Sequence, residues 1–199
     1  MALNNNDNRA TFVNISNGQL YTKEKDKERQ YFTDIDGTIT KVEFKDEEYQ
    51  GQNFEVAKIT LVDKDDRYIL QMRTDSGYFR GFCNSLKSSP NPTEKINIAP
   101  SSKEKDGKPQ TTCFVKQYGR ALKHAHTLNN MGDLPQVTKV TFKGKDQWDG
   151  TEQIKYWKNW LSNINWEHEV IAGATTPQEK ETAQNTVDSF MDAANDLPF

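Results

Sequence analysis

Three runs decide the fold: Gly37-Thr-Ile-Thr-Lys-Val-Glu-Phe44, Phe54-Glu-Val-Ala-Lys-Ile-Thr-Leu-Val62 and Arg67-Tyr-Ile-Leu-Gln-Met-Arg73. Each alternates apolar with polar side chains, the period of a strand with one buried face. The stretches between them are short and polar. Lys45-Asp-Glu-Glu48 with Gln50-Gly51-Gln52-Asn53 reads as the first turn, and Asp63-Lys-Asp-Asp66 as the second. Consecutive strands joined this way predict an antiparallel meander.

Past Arg73 the period lengthens. Asp75 or Ser76 suits a helix cap, and Phe79, Phe82, Cys83 and Leu86 follow at helical spacing until Ser88-Ser-Pro-Asn-Pro92 ends the segment. A fourth strand is expected at Lys95-Ile-Asn-Ile-Ala99, a mobile loop from Pro100 to Lys108, and a fifth strand at Thr111-Thr-Cys-Phe-Val-Lys-Gln-Tyr118. Strand, strand, strand, helix, strand, strand is the element order of the five-stranded OB-fold barrel, with its helix between strands 3 and 4. The expected fold is therefore mainly β, with that barrel carrying an added C-terminal strand at 136–142 and a helix from about Thr151 to Asn163. Ile154, Trp157 and Leu161 would form the buried stripe of that helix, with Trp160 beside it.

Residues 1–30 read as an N-terminal extension, with a short hairpin around Asn17-Gly18 and a charged linker over Lys23 to Arg29. Residues 31–170 read as the OB-fold domain with its strand and helix extension, and 171–199 as a linker and acidic tail. The tail holds five acidic residues from Glu179 to Asp196 against Lys180 alone, so the remainder is close to neutral although the chain totals -3. A near-neutral body permits phosphate binding, which depends on local cations. Only 34% of residues are hydrophobic, yet 11% are aromatic, more rings than a modest core needs. Cys83 and Cys113 lack metal or redox spacing and read as buried thiols. With no long apolar run and no signal-peptide pattern, a soluble cytoplasmic protein without membrane contact is expected.

Alternation assigns faces. Ala57, Ile59 and Leu61 point inward in the second strand, leaving Phe54, Val56, Lys58 and Thr60 outside. Tyr68, Leu70 and Met72 point inward in the third, leaving Arg67, Ile69, Gln71 and Arg73 outside. In the fifth strand Cys113 and Val115 face in and Phe114, Lys116 and Tyr118 out; Lys41 joins the outer face if Val42 and Phe44 face in. Rings beside cations suit unpaired nucleotides, because every base has a stackable face and every phosphate a charge. Phe54, Phe114 and Tyr118 are the expected stacking residues, with Lys41, Lys58, Arg67, Arg73 and Lys116 along the phosphates.

The C-terminus closes on Asp196-Leu-Pro-Phe199, where a ring, a proline and a free carboxylate follow Asp192. This ending resembles the acidic tip of bacterial single-stranded DNA-binding proteins, and the element order over about residues 31–118 together with that tail resembles the divergent single-stranded DNA-binding proteins of bacteriophages. The resemblance implies a non-enzymatic protein, without cofactor or metal, that protects single-stranded DNA in replication, recombination or repair. It also implies that Asp192, Asp196, Leu197, Pro198 and Phe199 recruit partner enzymes by carboxylate-and-ring capture. In a phage protein the compartment would be the bacterial host cytoplasm.

Other readings compete. Asp34-Ile-Asp-Gly-Thr-Ile-Thr40 resembles the DxDGT motif of Mg²⁺-dependent haloacid-dehalogenase-type phosphatases, with Asp34 as nucleophile, Asp36 as general acid and Asp63, Asp65 and Asp66 near a metal. That motif should follow a buried apolar strand, whereas Lys27-Glu-Arg-Gln-Tyr-Phe-Thr33 precedes it here. His124 and His126 lack a third ligand at zinc spacing. The four tryptophans, Trp148, Trp157, Trp160 and Trp166, would suit a carbohydrate platform, but helical spacing favours packing for Trp157 and Trp160. A protein-interaction adaptor would need only the tail.

Overall fold

A computed structural model describes residues 10–23, 28–105, 107–142 and 144–166. The meander is present as β4 (Ile35–Tyr49), β5 (Gln52–Asp63) and β6 (Asp66–Arg73), paired antiparallel in that order. The hairpin β1 (Thr11–Ser16) and β2 (Gln19–Thr22) turns at Asn17-Gly18, and β3 (Gln30–Phe32) pairs with β2. Helix α1 (Gly77–Leu86) starts at Ser76, whose hydroxyl accepts from the Phe79 amide at 3.2 Å, so Ser76 rather than Asp75 is the cap. Strands β7 (Ile96–Lys105), β8 (Lys108–Gln117) and β9 (Arg120–Ala121) follow, and then a separate ribbon of β10 (Thr138–Phe142) and β11 (Lys145–Asp149), and helix α2 (Thr151–Ser162).

The expected closed five-stranded OB barrel is not formed. Nine strands make one open mixed sheet in the order β3-β2-β1-β6-β5-β4-β7-β8-β9. A closed barrel would need the third and fifth predicted strands, β6 and β8, to meet, and both edges are already covered. Strand β1 adds in parallel to β6, with Val13 opposite Leu70. On the other side α1 lies against β8 so closely that a Cβ at Gly77 would stand 2.1 Å from the Thr111 carbonyl oxygen, and one at Gly81 2.8 Å from the Cys113 amide nitrogen. Two glycines thus let a helix sit where a strand would have paired. The sheet still curls: the Asn17-Gly18 turn reaches β7, where a Gly18 Cβ would lie 2.5 Å from the Ser102 nitrogen.

Two turn expectations are also corrected. Lys45 to Glu48 are strand, and the reversal is the two-residue turn Gln50-Gly51, with φ of 53° and 73°. The expected mobile loop from Pro100 to Lys108 is hairpin, with register pairs from Asn97–Lys116 through Lys105–Lys108. In both places the residues are polar on either face, so no apolar period announces the strand.

One core fills the inside of the curl. Ala57, Ile59, Leu61, Leu70, Ile96, Ile98, Cys113 and Val115 meet Phe79, Phe82, Cys83 and Leu86 of α1, each side chain worth roughly 1.5–3 kcal/mol on burial for the larger apolar ones. Helix α2 joins it through Trp157 and Leu161, with Gln153 rather than Ile154 as the third buried position. Trp166 is buried and Trp160 packs against the core, whereas Trp148 on the ribbon is 70% exposed. No helix among the described residues is long and apolar enough to cross a membrane.

Candidate nucleic-acid interface

Because side chains alternate across a strand, register fixes which residues share the outer face. On β4, β5 and β6 the outer rows are Lys45–Val56–Arg73, Glu43–Lys58–Gln71, Lys41–Thr60–Ile69 and Thr38–Val62–Arg67. A bulge between Ile39 and Lys41 keeps Ile39 inside while Lys41 faces out. The predicted faces therefore stand for β5 and β6, although Val56 and Thr60 are buried rather than open. On the flanking strands the face continues through Asp36–Asn97–Lys116 and Ala99–Phe114.

Three of the predicted cations, Lys41, Lys58 and Arg73, are paired with carboxylates. Lys41 lies 3.1 Å from Glu43, which this contact holds below the ordinary carboxylate range. Lys58 lies 2.6 Å from Glu47, four residues beyond its register partner Glu43, so the β4–β5 arm bends toward the outer face. Arg73 makes a bidentate contact with Asp75 at 3.0 and 2.6 Å, which raises its pKa, and stacks 5.1 Å above the Phe54 ring. Arg67 is exposed at the end of its row. Phe114 and Lys116 are half-buried on β8, three strands from β5.

Tyr118 departs from expectation. β8 ends at Gln117, and Tyr118 with Gly119 forms a turn at φ of 52° and 72°. Its ring is 65% exposed, and its hydroxyl donates to the Glu94 carboxylate, which raises the phenol pKa. It therefore stands apart from Phe114 and Lys116 instead of extending their row. Asp192, Asp196, Leu197, Pro198 and Phe199 lie outside the described residues.

The bent arm and the sheet enclose an open cleft of about 500 Å³. Its rings are Tyr21, Tyr49, Phe54 and Tyr78; Asn14, Gln71, Ser76 and Arg73 supply polar groups, and Glu47 and Glu48 line it from the arm. Tyr21, Tyr49 and Asn14 were not among the residues expected to bind. Their signal was present: the Asn17-Gly18 hairpin was legible, and alternation along it sets Asn14 opposite Tyr21 on the face away from Val13 and Leu20.

A second cleft of about 440 Å³ gathers Asp34, Asp36 and Asp63 beside Phe32 and Tyr68. It holds the phosphatase-like segment, but β4 runs antiparallel to both neighbours, β5 and β7, instead of lying in a parallel sheet. Lys95 occupies Asp63 at 2.8 Å. Among the described residues no three His, Cys, Asp or Glu side chains are grouped to hold a metal ion. His126 is buried against Tyr156 and Trp157, with its backbone amide donating to Asn84 at 2.8 Å. No protein-family model matches the chain, and no curated protein and no solved structure matches it.

Proposed function

We propose that this protein binds single-stranded DNA across the outer face of its sheet and recruits replication, recombination or repair proteins through its acidic C-terminal tip. The observation that carries the reading is the Phe54–Arg73 pair on the wall of an open cleft, continuous with the rows that hold Lys41, Lys58 and Arg67. A ring takes a base face, worth roughly 1–3 kcal/mol per base, and the adjacent guanidinium takes the phosphate. The acids on the same face do not defeat this. An exposed ion pair is worth only about 0–1 kcal/mol, so exchanging Glu43 or Asp75 for a phosphate costs less than one stacked base returns. A duplex hides its base faces and gains nothing from the rings. Such a role belongs in the cytoplasm, that of the bacterial host for a phage protein, and needs neither catalysis nor a cofactor.

The test is fluorescence anisotropy with labelled oligo-dT and a matched duplex over a salt series. If Lys41, Lys58, Arg67 and Arg73 each neutralise one phosphate, log K should fall with log salt at a slope of about -3, near -0.7 per contact. Equal affinity for duplex, or no salt dependence, overturns the reading. Deleting Asp196 to Phe199 should leave oligo-dT affinity intact while abolishing capture of replication or repair enzymes; loss of oligo-dT binding instead would refute the separate role of the tip.

A further inference from the structure

We propose that the N-terminal strands β1, β2 and β3 form a second stacking module, which takes the nucleotides leaving the cleft and sets a footprint of about ten. The inference rests on the single-strand reading above and adds residues and a path to it. Register puts Asn14, Tyr21 and Tyr31 in one row on the outer face, and Asn14 and Tyr21 already line the cleft. The same face carries Phe12, opposite Ile69 and 52% exposed. Tyr31 is 48% exposed, so this face carries open rings on both β1 and β3.

A cation accompanies the rings. Arg29 lies 4.6 Å above the Tyr21 ring, with the Tyr31 hydroxyl acting to raise its pKa. This repeats the arrangement of Arg73 over Phe54 at 5.1 Å on the opposite wall of the cleft. Two ring–arginine pairs thus flank one opening, each offering a base platform beside a phosphate charge. The Tyr21 and Tyr31 rings stand 5.9 Å apart at 47°, so they are not stacked face to face on each other.

Strand spacing sets the length. From β3 to β8 there are seven steps in the sheet, about 34 Å at roughly 4.8 Å each. A single strand that keeps the stacked-base spacing of a duplex, about 3.4 Å, covers that span with roughly ten nucleotides. The three steps from β3 to β6 account for about four of them, which is the share assigned to Tyr31 and Arg29.

The experiment compares dT6 with dT12 on the full chain, wild type against the Tyr31→Ala, Arg29→Ala double variant. Both side chains are exposed, so the melting curve should be unchanged. Wild type should bind dT12 about tenfold or more tighter than dT6, and the double variant should lose that gain while matching wild type on dT6. Tyr31→Trp, which keeps a stacking face, should retain it. The proposal is overturned if wild type gains nothing between dT6 and dT12, if the double variant weakens both oligomers by the same factor, or if it weakens neither. Wild-type binding of dT6 in any of these cases leaves the single-strand reading standing, whereas no binding of either oligomer removes both. If ultracentrifugation finds self-association that the double variant loses with dT12 affinity unchanged, the ring edge is a contact between copies and the proposal fails.

Discussion

Replacing Gly18 by alanine tests how the N-terminal hairpin is seated on the rest of the sheet, and therefore whether one wall of the cleft is fixed. Gly18 has a φ of +75°, and a Cβ there would lie 2.5 Å from the Ser102 nitrogen and 3.0 Å from the Ser101 carbonyl carbon. Two costs follow. The left-handed backbone disfavours any L side chain by about 1–2 kcal/mol. The overlap is with backbone of β7, which cannot swing aside as a long side chain would, and overpacking of this kind costs about 1–3 kcal/mol. Gly51→Ala separates the two, since Gly51 has a φ of +73° but no atom within 4 Å of an added Cβ. Gly18→Ala should therefore fall below Gly51→Ala by about 1–3 kcal/mol in urea unfolding, with an unchanged slope. In a chain of this size that is a further drop of about 2–4 °C in Tm per kcal/mol. Tyr78→Phe gives an independent reading, because the Tyr78 hydroxyl accepts from the Gly18 amide at 2.8 Å and its loss should cost about 1 kcal/mol. Equal midpoints for the two alanine variants would refute the contact between the Asn17-Gly18 turn and β7, and with it the curl that carries Asn14 and Tyr21 to the cleft.

Other outcomes are expected. Phe54→Ala and Phe114→Ala should each weaken oligo-dT binding by about 1–3 kcal/mol, measured by anisotropy, and Tyr118→Ala by less, because its ring stands outside the row. Unchanged affinity in the first two would remove the site assignment. Cys83 and Cys113 are buried and burial pushes both thiols well up, so a thiol reagent should label neither until denaturant unfolds the chain; prompt labelling of native protein would contradict the core. His126 is held below the ordinary imidazole pKa, first by burial and then by Lys87, against the opposing pull of Asp133. The unfolded chain then binds more protons than the folded one in the imidazole range, so the contribution is present above the ordinary His pKa and lost as pH falls toward the folded value. Urea midpoints taken between about pH 8 and pH 5 should decline more steeply for wild type than for His126→Gln; parallel curves would show that His126 is not the group.

Local chemistry was legible in the chain. Period-two alternation fixed the meander and its inward residues, Ser76 announced α1, Asn17-Gly18 announced a hairpin, and the positions of Phe54, Lys58, Arg67 and Arg73 on one face follow from the same period. These features depend on neighbours within a few residues. What failed did so for lack of such a signal. The arms at Lys45 to Glu48 and Pro100 to Lys105 are polar on both faces, and the left-handed backbone at Tyr118 has nothing in its side chain to mark it.

Closure could not be read from any run of residues. Whether β6 and β8 meet depends on which elements occupy their edges, and β1 takes one while α1, through Gly77 and Gly81, and the short β9 cover the other. A strand edge carries the same unpaired amides and carbonyls whatever its sequence, so its partner is chosen by the competition among distant segments. That competition, settled by packing across the whole chain, opened the sheet and brought Tyr21 and Asn14 beside Phe54 and Arg73.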